Sequence, residues 1–394
     1  MKTPDVVVLV PGFLGFARLG GFYYFADRLI AVLRSLLEEA LEHPVPVVPC
    51  TTLPTHGLGD RQRHLLGYLE RLSGEKLSGV ERIHLVGHST GGLDAQLLAC
   101  TKPVEGRTWA KAANGVRRKI RSVVTISAPH YGTPLADSWL AYWGENPLLW
   151  WGAYVPEAVK FGYHLLRLLP EEAPAIARLQ LAHPRDVISF LGRVAFNRTL
   201  IAELRPAHME ALRPALAPEP EVVLTCFVTA TEPRDAGERP SDAFFKQMYG
   251  LTRGDGGEVA PPVQGCMRLL DDLIRRRTDL VVCSDRKRIP PRIDAELNDG
   301  VVNTARQLVD PSAPSQVGGF VVADHADVLG HYDRQDSLIA GESYNAGLFH
   351  GGAGFGDDEF FTLYRRVAQA IVKTIPGAAR GEEPELDIVS IHPV

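Results

Sequence analysis

The stretch "RIHLVGHSTGG" (residues 82–92) combines a strand, a tight turn and the start of a helix. Residues 83–86 are an apolar run typical of a buried strand, and residues 92–100 have helical spacing. Ser89 lies at the turn, with Gly87 and Gly91 two positions away on either side. A sharp turn needs such small residues because its backbone is strained and its neighbours pack closely. The stretch therefore predicts a nucleophilic Ser89, with an ordinary structural turn as the alternative.

The composition is that of a globular protein with one large domain carrying insertions, or with two domains: 394 residues, 45% apolar and 23% charged. The net charge of −5, without basic runs, predicts no nucleic-acid partner. No run of about 18 apolar residues occurs, so we expect no stable membrane insertion. The first residues lack a signal-peptide pattern, so we expect a cytoplasmic chain, or a secreted one whose leader is absent from this sequence. The five cysteines are scattered without CxxC spacing, which favours reduced core residues over a disulfide framework.

Short β-branched runs alternate with helical patterns, which predicts an α/β fold with a parallel sheet covered on both faces. We expect strands at 5–10, 44–48, 82–87, 119–127, 221–230 and 320–325, and helices at 28–42, 61–72, 92–100 and 359–375. From about residue 135 to residue 220, helical spacing and most of the tryptophans replace the strand pattern. We therefore expect an α/β core (1–134 and 221–376), a helical cap or lid (135–220) and a loosely ordered C-terminal tail (377–394).

A nucleophilic serine requires a histidine as general base, and in enzymes with this kind of turn the histidine comes late in the chain. His88 is adjacent to Ser89 in sequence, but a neighbour at this turn points away from the serine oxygen. His325 follows a short apolar strand and is the best candidate for the base. His331 and His350 are the alternatives.

The acid and the oxyanion donors have candidates of their own. Asp299 lies in an Asn-Asp-Gly turn between Ser89 and His325 in the chain. It is the best acid, although a turn aspartate that bonds only its own backbone explains the same pattern. The backbone N–H groups of Thr90, after the nucleophile, and of Phe13, in the glycine-containing loop after the first strand, are the expected oxyanion donors.

Taken together, these motifs resemble the bacterial lipases and esterases of the α/β-hydrolase superfamily, including the thermostable lipases of bacilli. The resemblance is carried, in family order, by "VVLVPGFLGF" (7–16), "IHLVGHSTGG" (83–92), "VVTISAPHYGTPLAD" (123–137), and "IDAELNDGVVNT" (293–304) with "DHADVLGH" (324–331). Pro11 stands where a histidine usually precedes the glycine of the first block.

The resemblance implies an α/β-hydrolase fold, with a mostly parallel central sheet flanked by helices and an inserted helical cap or lid. It implies a catalytic triad of Ser89, Asp299 and His325, with Phe13 and Thr90 forming the oxyanion hole. The residues that we expect to contribute to substrate binding are Leu14, His88, His130 and Trp143.

The resemblance also bears on metals. The thermostable relatives bind zinc through an insertion ahead of the strand that leads to the nucleophilic serine (the elbow strand). This chain has only a short segment there, so we expect no zinc. Many relatives hold a structural calcium near the catalytic histidine, and Asp327 and Asp333 are candidates to bind it. Calcium takes six to eight oxygen ligands, so these two do not establish a site, and surface aspartates are the alternative. No redox or organic cofactor is required.

We therefore expect hydrolysis of a carboxylic ester with an apolar acyl chain, through an acyl-enzyme. The partner would be a small-molecule ester or a lipid, met in solution or at a lipid interface. A polyester (polyhydroxyalkanoate-type) depolymerase or an acyltransferase would use the same triad, since these differ in pocket shape and water access. A non-catalytic lipid-binding module of the same fold is the alternative from another class, and it has no need of all three residues. The sequence does not predict the oligomeric state.

Overall fold

The computed structural model describes most of the chain outside the centre of the predicted cap. The described residues are 4–13, 15, 17–19, 22–76, 79–104, 108–110, 113–143, 199–213, 216–232, 240–254, 259–309, 315–330, 332, 353–378 and 389–391. Predictions for residues 144–198 of the cap therefore lie outside the described residues.

One large, almost wholly parallel sheet forms the centre of the structure. The strands are β1 (Asp5–Val10), β2 (Arg18–Leu19), β3 (Phe22–Tyr23), β4 (Val47–Pro49), β5 (Arg82–His88), β6 (Ile120–Ile126), β7 (Val223–Ala230), β8 (Val281–Val282), β9 (Ser315–Val322) and β10 (Val389–Ile391). The order in the sheet is β10-β9-β7-β6-β5-β1-β4, and β8 also pairs with β9. Among the described pairs of this large sheet, only β9–β10 is antiparallel. The strands β2 and β3 form a separate antiparallel hairpin.

Helices connect the parallel strands and cover both faces of the sheet. They are α1 (Asp27–Leu41), α2 (Leu58–Arg71, continued by a π-helical turn at Leu72–Lys76), α3 (Thr90–Ala99), α4 (Ala113–Arg117), α5 (Pro134–Trp143), α6 (Thr199–Glu203), α7 (Pro206–Leu212), α8 (Pro240–Arg253), α9 (Pro261–Arg276) and α10 (Asp357–Val372). Parallel neighbours require crossover connections of this kind, because a short hairpin reverses the chain direction.

The two faces of the sheet carry separate apolar cores. All six residues of β1 are buried. Val6, Val8 and Val10 belong to the core that α2, α3 and α9 cover, while Val7 and Leu9 belong to the core that α1 and α10 cover. A strand buried on both faces has no polar side, which explains why its sequence is an unbroken apolar run from Val6 to Val10.

The helices at both ends of the predicted cap pack on the core. Leu200, Leu204 and Met209, from α6 and α7 and the turn between them, form an apolar cluster with Leu93 and Leu97 of α3. The helical structure expected for the cap is therefore present in its described parts. The division of the chain into core and cap stays a prediction.

The expected strands and helices are present, with shifted ends. The largest shift is in β9, which begins at Ser315 although the apolar pattern begins only at residue 320. The helices α8 and α9 and the strands β8 and β10 were not expected from the sequence. Strands of two or three residues are too short to show a period of their own, and β10, within the predicted tail, exists only because it pairs with β9.

Two further expectations concern the whole chain. All five cysteines are free; four are buried and Cys283 is half-buried, as expected for reduced core residues. Among the residues that the structure describes, no helix is long and apolar enough to cross a membrane.

Candidate active site

Ser89 occupies a strained turn between β5 and α3. Its backbone has φ +55° and ψ −132°, a conformation that residues with a side chain rarely adopt. The turn is held by hydrogen bonds from Ser89 N–H to Ile126 O (2.9 Å) and from Gly92 N–H to Ser89 O (2.9 Å). The side chain is thereby placed at the N-terminus of α3, where backbone N–H groups favour negative charge.

Glycines make this turn possible because the backbones around it are nearly in contact. A Cβ on Gly91 would lie 2.2 Å from Val10 O, and one on Gly87 would lie 2.3 Å from Gly91 O. A Cβ on Gly12 would lie 2.8 Å from Ser89 Cβ. The glycine positions noted in the sequence are therefore explained by close approach of the elbow to the first strand and its loop.

The structure brings Asp299 and His325 together at the carboxyl ends of β7 and β9. His325 Nδ1 donates to Asp299 Oδ2 at 2.8 Å. His325 N–H also donates to Asp299 O at 2.9 Å. This arrangement assigns the Nδ1–H tautomer to His325 and leaves Nε2 as the nitrogen that can accept a proton.

The carboxylate of Asp299 is fully buried and receives further hydrogen bonds. Oδ1 accepts the backbone N–H groups of Val301 (3.0 Å) and Val302 (2.8 Å). Oδ2 accepts Thr229 Oγ1–H (2.7 Å) and Gln307 Nε2–H (3.1 Å) in addition to His325. These donors satisfy both oxygens of the buried carboxylate and fix its orientation.

The side chain of His88 contacts the backbone of His325. His88 Nε2 donates to His325 O at 2.7 Å, and His88 Nδ1 lies 2.7 Å from Tyr24 Oη. The rings of His88 and His325 are 4.7 Å apart between centroids. Burial, together with the charge of nearby His325, holds the pKa of His88 well below its ordinary value. Both ring nitrogens of His88 are therefore engaged within the protein, and its expected part in substrate binding stays a prediction.

The loop after β1 carries Phe13 and is called the oxyanion loop below, after the role expected of that residue. Hydrogen bonds join it to the segment ahead of α2. Gly15 N–H donates to Gly12 O at 3.0 Å, and Thr52 N–H donates to Gly15 O at 2.7 Å. Phe13 lies in this turn, half-buried against the apolar cluster of α3 and α6. Thr90 is the first residue of α3, where N–H groups have no partner within the helix. Leu14 lies outside the described residues.

Arg61 of α2 joins the oxyanion loop to α3. Its side chain is fully buried, and NH2 lies 2.5 Å from Asp94 Oδ2. It also donates to Gly12 O at 3.2 Å and reaches Thr90 Oγ1 at 3.5 Å. Burial raises the pKa of Asp94, and the charge of Arg61 opposes that rise.

His130 and Trp143 were also expected to contribute to substrate binding. His130 is buried, with Nδ1 2.9 Å from Gln96 Oε1 and Nε2 3.1 Å from Thr125 Oγ1. Burial lowers its pKa to about 3, so its ring is neutral. These contacts join β6 to α3 and give no support to the predicted role in substrate binding. Trp143 ends α5, and its side chain lies outside the described part of the structure, as do His331 and His350.

Of the two aspartates expected to bind calcium, the structure describes Asp327. Asp327 is buried, and its Oδ2 accepts the N–H of Asp324 at 3.1 Å. Asp333 lies outside the described residues. Among the described residues, no group of three or more His, Cys, Asp or Glu side chains could hold a metal ion. The calcium site therefore stays a prediction.

The fold is shared with a solved structure. EstA from Clostridium botulinum superposes with a TM-score of 0.51 at 17% sequence identity, over 94% of this chain and 87% of that one. This chain has the α/β-hydrolase fold. The fold class expected from the sequence is therefore confirmed, and the elbow occupies its usual place between a central strand and a helix.

In sequence, the chain is similar to the triacylglycerol lipase of Pseudomonas fragi, with 29% identity over 137 residues. The match covers 35% of this chain and 39% of that lipase, so it spans well under half of either protein. No protein-family profile matches the chain. The resemblance to bacterial lipases and esterases of the α/β-hydrolase type is confirmed.

Several residues of this α/β-hydrolase site escaped the sequence analysis. They are the partners of the acid, the phenol that contacts His88 and the buried ion pair beneath the oxyanion loop: Thr229, Gln307, Tyr24, Arg61 and Asp94. Thr229 ends a recognisable strand, so its position at the carboxyl edge was available from the sequence. The others are helix or loop residues whose neighbours are far away in the chain.

Proposed function

We propose that this α/β-hydrolase cleaves carboxylic esters with apolar acyl chains, as a lipase or carboxylesterase, with Ser89 as the nucleophile. The observation that carries the proposal is Ser89 at φ +55° at the start of a helix. His325, which is partly exposed, and the buried Asp299, with Nδ1 and Oδ2 2.8 Å apart, would supply the rest of a triad. A purely structural turn gives no reason for such a pair. The name of the Pseudomonas fragi relative, a triacylglycerol lipase, supports the same substrate class.

In the first half of the proposed reaction, Ser89 Oγ attacks the ester carbonyl. His325 Nε2 takes the hydroxyl proton, and Asp299 stabilises the imidazolium through Nδ1–H. The N–H groups of Phe13 and Thr90 stabilise the oxyanion of the tetrahedral intermediate. His325 then gives the proton to the leaving alcohol, and the acyl group remains on Ser89.

In the second half, His325 removes a proton from water, which attacks the acyl-enzyme. The oxyanion forms a second time in the same place, and its collapse releases the carboxylic acid and restores the hydroxyl of Ser89. An acyltransferase would admit an alcohol in place of this water. A polyester depolymerase would use the same steps on a polymer chain, so the substrate has to be determined by experiment.

A fluorophosphonate probe tests the nucleophile. We expect the probe to label the folded wild-type protein at Ser89, and Ser89→Ala to abolish the labelling. Ser127→Ala is the matched control, because Ser127 also ends a strand and also has a positive φ of 54°. The control should still be labelled. A folded wild-type protein that the probe does not label would contradict the enzyme function and favour a lipid-binding module.

A series of p-nitrophenyl esters of increasing chain length tests the substrate class. We expect activity to rise beyond acetate, because the proposed acyl group is apolar. Addition of emulsified triglyceride separates a lipase, which hydrolyses it, from a carboxylesterase, which does not. Release of acid only from a polyhydroxyalkanoate suspension would contradict both and identify a depolymerase.

A structural calcium stays a proposal drawn from the resemblance alone. A bound ion stabilises the native state by mass action, so EDTA should then lower the thermal midpoint. An unchanged midpoint would leave Asp327 as a residue whose carboxylate serves only its own turn.

A further inference from the structure

Three segments that carry the proposed active site meet at His88. The first is the elbow, whose serine directly follows His88. The second is the loop that carries His325, whose carbonyl oxygen lies 2.7 Å from His88 Nε2. The third is the segment between β3 and α1, from which Tyr24 Oη lies 2.7 Å from His88 Nδ1. The side chain of His88 is buried, so both nitrogens serve the protein interior.

The direction of each hydrogen bond follows from the chemistry of its partner. A backbone carbonyl only accepts, so His88 Nε2 must carry a hydrogen and donate it to His325 O. The ring is neutral, because burial and neighbouring His325 lower its pKa, and Nδ1 therefore presents a lone pair. Tyr24 Oη–H is the donor to that lone pair. Burial raises the pKa of the Tyr24 phenol, which keeps its proton in place.

Tyr24 also reaches the oxyanion loop. A Cβ built on Gly12 would lie 2.5 Å from Tyr24 Oη and 2.8 Å from Ser89 Cβ. The backbone of Gly12 therefore lies between Ser89 and the Tyr24 phenol, with no room for a side chain. The Tyr24–His88 pair consequently contacts the oxyanion loop on one side and the base on the other.

His325 is fixed at three points. Its imidazole Nδ1 donates to Asp299 Oδ2 and its N–H donates to Asp299 O. Its carbonyl accepts from His88. The acid holds the ring and one side of the backbone, whereas His88 alone among these contacts holds the other side. A small rotation of this backbone would move Nε2 relative to Ser89, and misplacement by about 1 Å can cost about 10²-fold in rate.

We propose that His88 and Tyr24 are positioning residues, which hold the backbone of His325 so that its imidazole stays aligned between Asp299 and Ser89. This inference rests on the proposed function and adds residues that the triad itself does not include. It also gives His88 a role other than substrate binding. The expected consequence is that His88 and Tyr24 affect kcat and leave KM unchanged.

The first test does not depend on activity. In a Ser89→Ala background, the Nδ1 proton shared by His325 and Asp299 should give a low-field proton NMR signal. Adding His88→Leu should broaden or remove the signal, and adding His88→Gln should retain it, because a glutamine amide can donate to His325 O and accept from Tyr24. An unchanged signal in the His88→Leu protein overturns the proposal.

The second test is kinetic and uses a p-nitrophenyl ester. We expect His88→Leu to lower kcat by about 10- to 100-fold with KM unchanged. Tyr24→Phe removes one hydroxyl and should lower kcat by about fivefold, as for the loss of one hydrogen bond. His88→Gln should restore most of the loss. Tyr24→Phe keeps the proposal testable if His88→Leu does not fold.

Matched controls separate positioning from loss of stability. His84 lies on the same strand, is also buried, and has both ring nitrogens engaged, by Ser122 and Asp5. His84→Leu should lower the thermal midpoint and leave kcat and the low-field signal unchanged. Tyr68→Phe is the control for Tyr24→Phe.

The outcomes distinguish the two claims. A wild-type protein that hydrolyses no ester overturns the proposed function, while the NMR comparison still tests the alignment of His325. An active wild-type protein whose kcat and low-field signal are unaffected by His88→Leu and Tyr24→Phe overturns this inference alone. Equal losses of kcat in the His84 and His88 variants also overturn it, because they indicate a general effect of stability.

Discussion

Asp299 uses its two carboxylate oxygens for different tasks. Oδ1 accepts two backbone N–H groups of its own turn, and Oδ2 accepts the imidazole of His325. The two interpretations left open by the sequence, a turn aspartate and a catalytic acid, are therefore both supported by its contacts. The turn fixes the carboxylate in the orientation in which the second oxygen meets the histidine.

Asp299→Asn separates these tasks. An asparagine keeps an oxygen for the backbone donors and loses the charged acceptor for His325, so we expect kcat to fall about 10⁴-fold. The free energy of unfolding should fall by only about 1–2 kcal/mol. Asp294→Asn is the control, since Asp294 Oδ1 accepts the N–H groups of Glu296 and Leu297 in a similar turn. Full activity is expected in the control, and comparable losses in both variants would contradict the assignment.

At the scale of elements, the oxyanion loop, α2 and α3 are joined by one buried ion pair. Arg61 donates to Asp94, to Thr90 and to the backbone of the loop, while no part of its side chain is exposed. Removing one member of a buried pair leaves an uncompensated charge, which costs about 3–5 kcal/mol. Replacing both by apolar residues of similar size avoids that cost.

A double-mutant cycle tests this joint. We expect Arg61→Met to lower the free energy of unfolding by about 3–5 kcal/mol, and Arg61→Met with Asp94→Leu to recover most of the loss. The double variant should still have a lowered kcat, because the carbonyl of Gly12 has lost one of its two donors, Arg61, and keeps only Gly15 N–H. The exposed pair of Arg63 and Asp60 on the same helix is the control, and Arg63→Ala should cost at most about 1 kcal/mol. A double variant as unstable as Arg61→Met would argue against an ion-pair effect.

A second polar network, centred on Asp5, lies at the amino-terminal ends of β1 and β5. Asp5 is buried at the start of β1, where Arg82 donates to both its oxygens (2.6 and 2.8 Å) and His84 Nε2 lies 3.2 Å from Oδ1. Burial alone would raise the pKa of Asp5, but the hydrogen bonds from Arg82 and His84 outweigh it and hold the pKa far below its ordinary value. The network therefore stabilises β1 beside β5 only while Asp5 is charged.

The pH dependence of stability follows from the lowered pKa of Asp5. A carboxyl whose pKa is depressed by folding stabilises the native state above its unfolded pKa of about 3.9, and this contribution is lost as the pH falls through the folded value. We expect Asp5→Asn to lower the free energy of unfolding at pH 7 by about 3 kcal/mol. Urea unfolding should show that the difference between the proteins is constant from pH 7 to 5 and shrinks below about pH 4. A difference that does not shrink between pH 4 and pH 2 would indicate a packing defect.

At the scale of the whole molecule, the cysteines contribute to the core and form no covalent constraint. Four are buried, and burial raises the pKa of the half-buried Cys283 thiol. We expect a thiol reagent at pH 7 to modify one residue slowly in the folded protein and five after denaturation. Cys283→Ser should remove the reaction of the folded protein. A thermal midpoint lowered by dithiothreitol would contradict the absence of disulfides.

The long elements of this molecule were predictable because each carries its own pattern. After Asp5, β1 is an unbroken apolar run because both its faces are covered, and α1 repeats Leu29, Leu33 and Leu37 every four residues. By contrast, the two residues of β8 carry no period and are a strand only because they pair with Phe320 and Val321 of β9. Such strands are defined by their neighbours.

The candidate site divides in the same way. Ser89 could be assigned from adjacent residues, because the strain and close packing of the turn require the glycines beside it. His325 and Asp299 required the resemblance, since many histidines and aspartates follow strands or turns. Arg61 and Tyr24 gave no signal, because their partners lie in other elements and nothing in their own neighbourhoods marks them.

The sequence by itself determined the alternation of strands and helices, the elbow at Ser89 and the absence of paired cysteines, since these depend on neighbours along the chain. Only the tertiary structure decided which groups surround the elbow. It placed His88 against the backbone of His325 and Tyr24 against His88, and it buried Arg61 beneath the oxyanion loop. The physical reason is that a hydrogen bond depends on distance in space, and the packing of both faces of the sheet sets those distances.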